Sequence, residues 1–410
     1  MLTVSSFNWD RGIWSDPSSG AADVSLCIAG DWAPIRAFQP IIENTPEKIY
    51  GDLLPMIRSA DLSIVNLEAP LSDRGSPVHK SGAVFKGERN HVQGLCVVPF
   101  DVVTLANNHM FDYGLDAFQE SLDSLDENHI KHTGAGMSEQ DAQKPLKIDI
   151  NGLKIGIVNF SEGEDLTAAH NGPGVMGWDL ATVIQTVKAL KAEMDIVLVI
   201  SHCGIEYIPF PPPYVANAFI QIADAGADLV IGHHPHVPQG ISFHNHIPIC
   251  HSLGNFVFYQ ETDLKFRKLG YMVKAGLKKN AVVSLELIPY QIDSQGLSRL
   301  KDQYALSFFQ KFKQISLPLD SSETLQDAWH GFLDYYGKKG FFNEISMITE
   351  KMAQDPQKGA AMFRNRLTTL QHYHHWKDFM TRMVKGDLDS SPAWAKALIR
   401  EWLTAKIDPA

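Results

Sequence analysis

Leu229-Val230-Ile231-Gly232-His233-His234-Pro235-His236 is an apolar run that breaks, after one glycine, into three imidazoles within four residues. A run this short and this apolar reads as a strand buried on both faces of a sheet. The polar group that follows then stands past the strand's end, where an α/β sheet presents its active site. Three imidazoles in that place are difficult to explain as packing. In extended backbone His234 and His236 project to the same side, which suits two nitrogens on one metal ion.

The same pattern recurs on both sides of this stretch. Val24–Ala29 passes through Gly30, read as a tight turn, into Asp31. A carboxylate past a strand end is a good monodentate ligand, or else a turn or helix-capping residue. Leu62–Asn66 leads to Glu68, placed to bridge two cations, with Asn66 able to orient it. Val102–Leu105 leads to Asn107-Asn108-His109 and then Asp112. The Asn108 amide oxygen is a neutral hard ligand and His109 a candidate general acid. Asp112, three residues on, is spaced to hold the His109 ring in one tautomer. Asn-Asn is also ordinary turn chemistry. His202 follows Ile196–Ile200, with Gly204 and Glu206 beyond it, and His251-Ser252-Leu253-Gly254-Asn255 closes a further short strand. Candidate substrate contacts are Asn66, Asn107, Glu206, His233, Ser252 and Asn255; for Ser252 and Asn255 a structural turn is the alternative.

Helix-like segments alternate with these runs: Pro46–Arg58, Leu115–Asn128, Leu180–Glu193 and Val215–Ala225. Thr45 reads as the N-cap of the first, with Pro46 at its first position. The alternation predicts a layered α/β domain with a largely buried sheet. Hairpins are expected at Asn151-Gly152, at His244-Asn245 and at Lys278-Lys279-Asn280, so the sheet should be mixed. After about Ile292 helical periodicity takes over, as in Ser321–Tyr336, Met362–Met383 and Pro392–Ala405. The expected organisation is an N-terminal segment over 1–22, an α/β domain over 23–295 and a helical extension over 296–410. Gln371–Lys377 is rich in histidine but lacks accompanying carboxylates, and it reads as a surface or interdomain face.

A chain of 410 residues suits one large domain plus an addition. Its net charge of −11 makes it a poor binder of nucleic acid or of anionic membrane surfaces. An anionic substrate would then need a local positive source, and a metal ion is the compact one. The cysteines Cys27, Cys96, Cys203 and Cys250 form no CxxC pair and read as buried free thiols of a reducing compartment. Met1–Gly20 carries Asp10, Arg11 and Asp16 and no apolar core of a signal peptide. No stretch approaches the roughly 18 apolar residues of a membrane helix. A cytoplasmic protein without a membrane anchor is expected.

As a set, the motifs resemble the CapA family of capsule or poly-γ-glutamate biosynthesis proteins, itself similar to the calcineurin-like metallophosphoesterases. The matching segments run from Ala29-Gly30-Asp31 through Asn66-Leu67-Glu68, Asn107-Asn108-His109, His202-Cys203-Gly204 and the His233–His236 cluster to Ser252-Leu253-Gly254-Asn255. The resemblance implies a metallophosphoesterase-like β-sandwich flanked by helices, with one or two divalent ions (Mn, Fe or Zn) at the strand ends. Asp31 and His236 would serve one ion, Glu68 would bridge, and Asn108, His202 and His234 would serve the other. His109 would be the general acid. Metallophosphoesterases carry a histidine where this chain has Ala33, and an aspartate where it has Glu68; CapA-like proteins share both changes. The implied activity is metal-assisted hydrolysis of a phosphorylated or polyanionic cell-envelope component. The rival expectation is a non-catalytic, polymer-binding member of a synthesis assembly. In either case the C-terminal helices would be available to a partner protein or a second copy.

Overall fold

Leu26 and Ile28 leave the strand Val24–Trp32 on one face, Cys27 and Ala29 on the other, and all four are buried. Leu26 and Ile28 pack into a core with Ile157, Leu198, Ile200 and Ile231 of a second sheet. Cys27 and Ala29 pack against Phe38, Ile42 and Leu95 from the covering helical turns. The second sheet repeats the arrangement: Val197, Val199 and Val230 meet Val183, Val187 and Phe219 of its own helices. Burial on both faces is why these strands read as continuous apolar runs. The result is helix, sheet, sheet, helix, the layered α/β sandwich expected from the sequence. The computed structural model describes residues 7–407, so the first six residues of the expected N-terminal segment and the last three of the tail lie outside the described residues.

The first sheet runs Ile13–Ser15, Ala281–Asp293, Leu269–Lys278, Val24–Trp32, Leu62–Leu67, Val102–Thr104, Lys131–Thr133, with Gly296–Arg299 paired to Ala281–Asp293. The second runs Pro238–His244, Ile247–Leu253, Leu229–His233, Ile196–His202, Leu153–Ser161, Leu146–Ile150. Both are mixed. Parallel pairing from Val24–Trp32 to Lys131–Thr133, and from Ile247–Leu253 to Leu153–Ser161, gives each a parallel block with antiparallel flanks. The C-terminal ends of the two blocks meet. Asp31 bridges Asn255, its N–H donating to the Gly254 carbonyl at 3.2 Å while Phe256 N–H donates to the Asp31 carbonyl at 2.8 Å.

Several local expectations need correction. Pro46–Arg58 is not one helix: a 3-10 segment, Pro46–Leu53, is interrupted at Gly51 (φ 50°), and an α-helix follows at Leu54–Arg58. A Cβ at Gly51 would lie 2.0 Å from the Leu297 carbonyl oxygen, so the break is tied to tertiary packing. The Thr45 side chain makes no capping hydrogen bond. The second hairpin turns at Asn245-His246 (φ 46° and 74°), one residue later than expected, because His244 still pairs with Ile247. Gly30 is not a turn residue but lies inside its strand. Its missing side chain matters because a Cβ there would sit 2.1 Å from the Gly254 carbonyl oxygen. Of the cysteines, all free, Cys96 is only half-buried.

The tail is helical and continuous with the core. Phe308 and Phe312 of Asp302–Ser316, and Trp329 of Ser322–Gln354, belong to the same apolar cluster as the inter-sheet residues. Trp402 stacks on Phe266 with ring centroids 3.6 Å apart. The expected helix Met362–Met383 is two, Pro356–Thr368 and Leu370–Lys385, because Thr369 between them is extended (ψ 131°). None of the helices among the described residues is long and apolar enough to cross a membrane.

His375, on Leu370–Lys385, packs against Phe332 and Tyr336, and burial pushes its imidazole down to about 3. In the unfolded chain it titrates near 6.5. Between these values only the unfolded state takes up the proton, so this contribution is full above about pH 6.5 and is lost as pH falls toward 3. Denaturant melts from pH 7 to 4.5 should show stability falling with acid. His375→Phe should flatten that slope by up to about 1.4 kcal/mol per pH unit; parallel slopes would contradict the burial argument.

Candidate metal centre

Six polar side chains expected as ligands converge where the two parallel blocks meet. Asp31 lies near the end of Val24–Trp32, and Glu68 follows Leu62–Leu67 directly. Asn108 and His109 lie just past Val102–Thr104, His202 ends Ile196–His202, and His234 and His236 follow Leu229–His233. Candidate ligand atoms of Glu68, His202 and His234 all lie within 4.8 Å of one another, and so do those of Asp31, Glu68 and His236. Glu68 is common to both groups.

The first group is tightly drawn. His202 Nε2 lies 3.1 Å from Asn108 Oδ1, 3.1 Å from His234 Nδ1 and 3.3 Å from Glu68 Oε1. Such separations are edges of a polyhedron around a cation with bonds of roughly 2.1 Å. Burial, with the neighbouring imidazoles, holds His202 well below the usual histidine range and lowers His234 too, so both are neutral lone-pair donors. In the second group His236 Nδ1 lies 3.5 Å from Asp31 Oδ2 and its Nε2 3.6 Å from Glu68 Oε1.

The carboxylates supply the test of fit. Glu68 Oε1 and Oε2 and Asp31 Oδ2 are buried with no hydrogen-bond partner among the described residues. Burial, then the charge of Asp31, pushes the Glu68 carboxyl well above its usual range. Burial would raise Asp31 as well, but the hydrogen bond from His233 and the nearby His236 imidazole hold it well below. His236 goes the other way: burial disfavours its charge, yet Glu68 and Asp31 raise it to about 10. The local field therefore calls for positive charge between these groups, and the donor set of carboxylate, amide oxygen and neutral imidazole fits divalent cations.

His109 stands beside the shared carboxylate, its Nε2 4.0 Å from Glu68 Oε1. Asp112 Oδ2 lies 2.6 Å from its Nδ1 and so orients the ring. Lys80, which the sequence reading missed, donates to Asp112 Oδ1 at 2.8 Å and to the Asn108 carbonyl at 2.7 Å. Burial lowers His109, and the Lys80 charge adds to this against the opposing pull of Asp112. The cleft above, about 460 Å³, is lined by His109, His236, Phe85, Tyr207, Glu206, Arg36 and Arg267 among others.

The structure differs from several sequence expectations here. His234 and His236 do not project together from extended backbone: both have left-handed φ (97° and 57°), and they face different groups, so they do not chelate one ion as a pair. Of the expected substrate contacts only Glu206 is exposed at the cleft. The other five are buried and each has a protein partner, although His233 Nε2 has none among the described residues. Asn66 Nδ2 donates to Asp31 Oδ1 at 2.9 Å, and His233 Nδ1 lies 3.0 Å from the same oxygen. Asn107 Nδ2 donates to the Leu67 carbonyl, Ser252 Oγ to the Val237 carbonyl, and Asn255 Oδ1 lies 2.8 Å from His236 Nδ1. These five support the ligands from behind. Ala33 is packed with Ile35, Ala69 and Phe258 and offers no donor. Cys203 is a buried thiol outside both groups, pushed well above its usual range chiefly by burial.

The largest omission is Glu164, together with the tail. Glu164 accepts from Asn108 Nδ2 at 3.0 Å, Gln371 Nε2 at 3.1 Å and Asn365 Nδ2 at 2.7 Å, and its Oε1 lies 3.3 Å from His372 Nε2. Gln371–Lys377, expected as a surface or interdomain face, packs against the α/β part as the second alternative had it, but it begins inside the site, where Gln371 is buried.

An α/β sandwich with two carboxylate-imidazole groups sharing one glutamate defines a candidate dinuclear metalloprotein. Residues 25–260, more than half of the chain, match the family model of the bacterial capsule synthesis protein PGA_cap, and the chain belongs to that family. It is 31% identical to the PGA biosynthesis protein CapA of Bacillus subtilis, over 66% of this chain and 72% of that one. It is 27% identical to the capsule biosynthesis protein CapA of Bacillus anthracis, over 66% and 67%. Among solved structures, a 5'-nucleotidase precursor from Thermus thermophilus overlays loosely: TM-score 0.42 and 13% identity, over 71% of this chain and 58% of that one.

Glu68→Gln should expose the cost of the shared carboxylate. In excess chelator the variant should melt above wild type, since a buried carboxylate without donors is removed. Added Mn²⁺ or Zn²⁺ should stabilise the wild type, by about 2.7 kcal/mol at a hundredfold excess over Kd, and so raise its midpoint, and the variant's much less. Equal metal-induced shifts in the two proteins would sink the bridging role.

Proposed function

We propose that this protein is a metal-dependent hydrolase of the phosphoesterase type, acting on a phosphorylated or polyanionic cell-envelope component such as poly-γ-glutamate. One observation carries the reading: a buried His109–Asp112 pair lies beside the carboxylate that two ligand groups share. Asp31, Glu68 and His236 would hold one cation, and Glu68, Asn108, His202 and His234 the other. Bound there, divalent cations supply Lewis acidity, neutralising charge on a phosphoryl or carboxyl oxygen and acidifying a water.

The chain's own residues supply positioning and proton transfer. Asp112 accepts the Nδ1 proton of His109, leaving Nε2 as the atom that exchanges a proton toward the site. Asp112 also offsets the imidazolium charge when that proton is present. A lowered histidine pKa makes the imidazolium a stronger acid toward a leaving-group oxygen. Phe85 packs on the His109 ring with centroids 4.5 Å apart, limiting water on that side. At the rim the Arg267 guanidinium lies 3.5 Å over the Tyr207 ring and Arg36 lies 5.4 Å over Phe85, two cations suited to an anionic chain. Four free thiols support work in the cytoplasm. Family membership supports the cell-envelope context.

The test measures bound metal by elemental analysis, then phosphatase and γ-glutamyl hydrolase activity, in wild type, His109→Ala and His202→Ala. Wild type should hydrolyse one substrate class. His109→Ala should lose ~10²–10⁴-fold with metal retained, and His202→Ala should lose both metal and activity. Full metal content with no hydrolysis of either class would favour the rival reading, a polymer-binding component. Activity unchanged in both variants would remove the site.

A further inference from the structure

We infer that the helical tail completes the cation site: Gln371 positions His234, and Glu164, clamped from the tail, positions Asn108. This rests on the metal reading above, and the tail residues it concerns, Asn365, Gln371 and His372, lie beyond the family match, which ends at 260.

Glu164 is buried and ringed by four donor groups, three of them from the tail: Asn365 Nδ2, Gln371 Nε2 and His372 Nε2. The fourth is Asn108 Nδ2. A carboxylate so surrounded is acceptor-only. It therefore fixes which end of each amide turns toward it. Asn108 must present its NH₂ to Glu164, which directs Oδ1 toward His202 Nε2 and the ligand group. Gln371 must likewise present Nε2 to Glu164, which directs Oε1 toward His234 Nε2, 3.2 Å away. An amide oxygen there requires a proton on His234 Nε2. The Nδ1 lone pair is then free, and Nδ1 is the atom that faces His202 and Glu68. Two ligands of one cation thus owe their orientation to one carboxylate, and that carboxylate owes three of its donors to Pro356–Thr368 and Leu370–Lys385 and the turn between them. Such outer partners fix ring orientation and tautomer, and losing one costs ~10–100-fold in metal affinity. Gln371 and Glu164 are positioning residues; neither contacts the reacting atoms.

The test titrates the full-length protein with Co²⁺ and Zn²⁺ against a chelator. It records the Co²⁺ visible bands of wild type, Gln371→Leu, Glu164→Gln and Tyr373→Ala. Gln371→Leu removes the acceptor for His234. Glu164→Gln removes the charge and leaves one accepting oxygen where two served four donor groups, which loosens the hold on the Asn108 and Gln371 amides. Both should weaken the His202–His234 cation ~10–100-fold and change the Co²⁺ bands. Tyr373→Ala, on the same helix but half-exposed, should leave both unchanged. Melting in excess chelator reports folding; if Gln371→Leu does not fold, Glu164→Gln decides. Wild-type affinity and bands in both site variants would overturn the inference while leaving the metal reading intact. A wild type that binds no cation would overturn both.

Discussion

Two buried carboxylates set the terms for the rest of this molecule. Glu68 and Asp31 sit at the junction of two sheets, and three of their oxygens meet no donor among the described residues. A buried, uncompensated ion costs several kcal/mol, far more than a fold of ordinary stability gives up without a counterpart. The surroundings do not remove that cost. Two imidazoles are held neutral and one is held charged, so the protein alone balances the pair only in part. Packing explains neither oxygen set; a divalent cation is the counterpart that the donor set would accommodate. The backbone serves the same arrangement. The register shifts between Ile28 and Asp31, a bulge that re-aims the aspartate, and Gly30 lets Gly254 come close enough for the two sheets to join there.

Strain is stored in the same place. His234, His236 and Tyr207 adopt left-handed φ (97°, 57° and 69°), a conformation costing about 1–3 kcal/mol for residues other than glycine. Hydrogen bonds from Cys203 N–H to the His233 carbonyl and from Tyr207 N–H to the Pro235 carbonyl, 3.1 and 2.8 Å long, lock the turn. What the strain achieves is divergence. Extended backbone would send His234 and His236 to one side, whereas the turned backbone distributes them to two groups that share Glu68.

This explains which parts were legible in the sequence. Apolar runs such as Val24–Ala29 and Ile196–Ile200 marked doubly buried strands because burial on both faces leaves no polar alternation to misread. The residues at their ends, Asp31, Glu68, Asn108, His202, His234 and His236, were legible because each is a short polar interruption of an apolar pattern. Roles at that edge were less legible. Asn66, His233 and Asn255 look like ligand or substrate residues by type, yet they are buried and bonded to the candidate ligands Asp31 and His236. Left-handed histidines carry little compositional signal, since glycine is the residue that adopts that conformation freely and other residues are seldom found in it. Lys80 sits in a segment without periodicity, and nothing local marks it as the partner of Asp112.

The tail was the least legible part, for a reason of distance. Asn365, Gln371 and His372 straddle a helix break at Thr369, so they share no helical face from which a pattern might be read. Their partner Glu164 is about two hundred residues away in sequence, as the hydrogen-bond separations of 201, 207 and 208 show. The apolar half of the tail was readable as amphipathic helix and joins the inter-sheet core through Phe312 and Trp329. That apolar contact gives the polar one its stiffness. Helices anchored in the core can hold an amide within 3.2 Å of His234, which a frayed terminus could not. Released from its three tail donors, Glu164 would be a carboxylate with one partner, 4.0 Å from His234 Nε2 and free to turn toward the candidate ligand group. In the folded protein three of the four donors around Glu164 come from helices that lie beyond the family's shared segment.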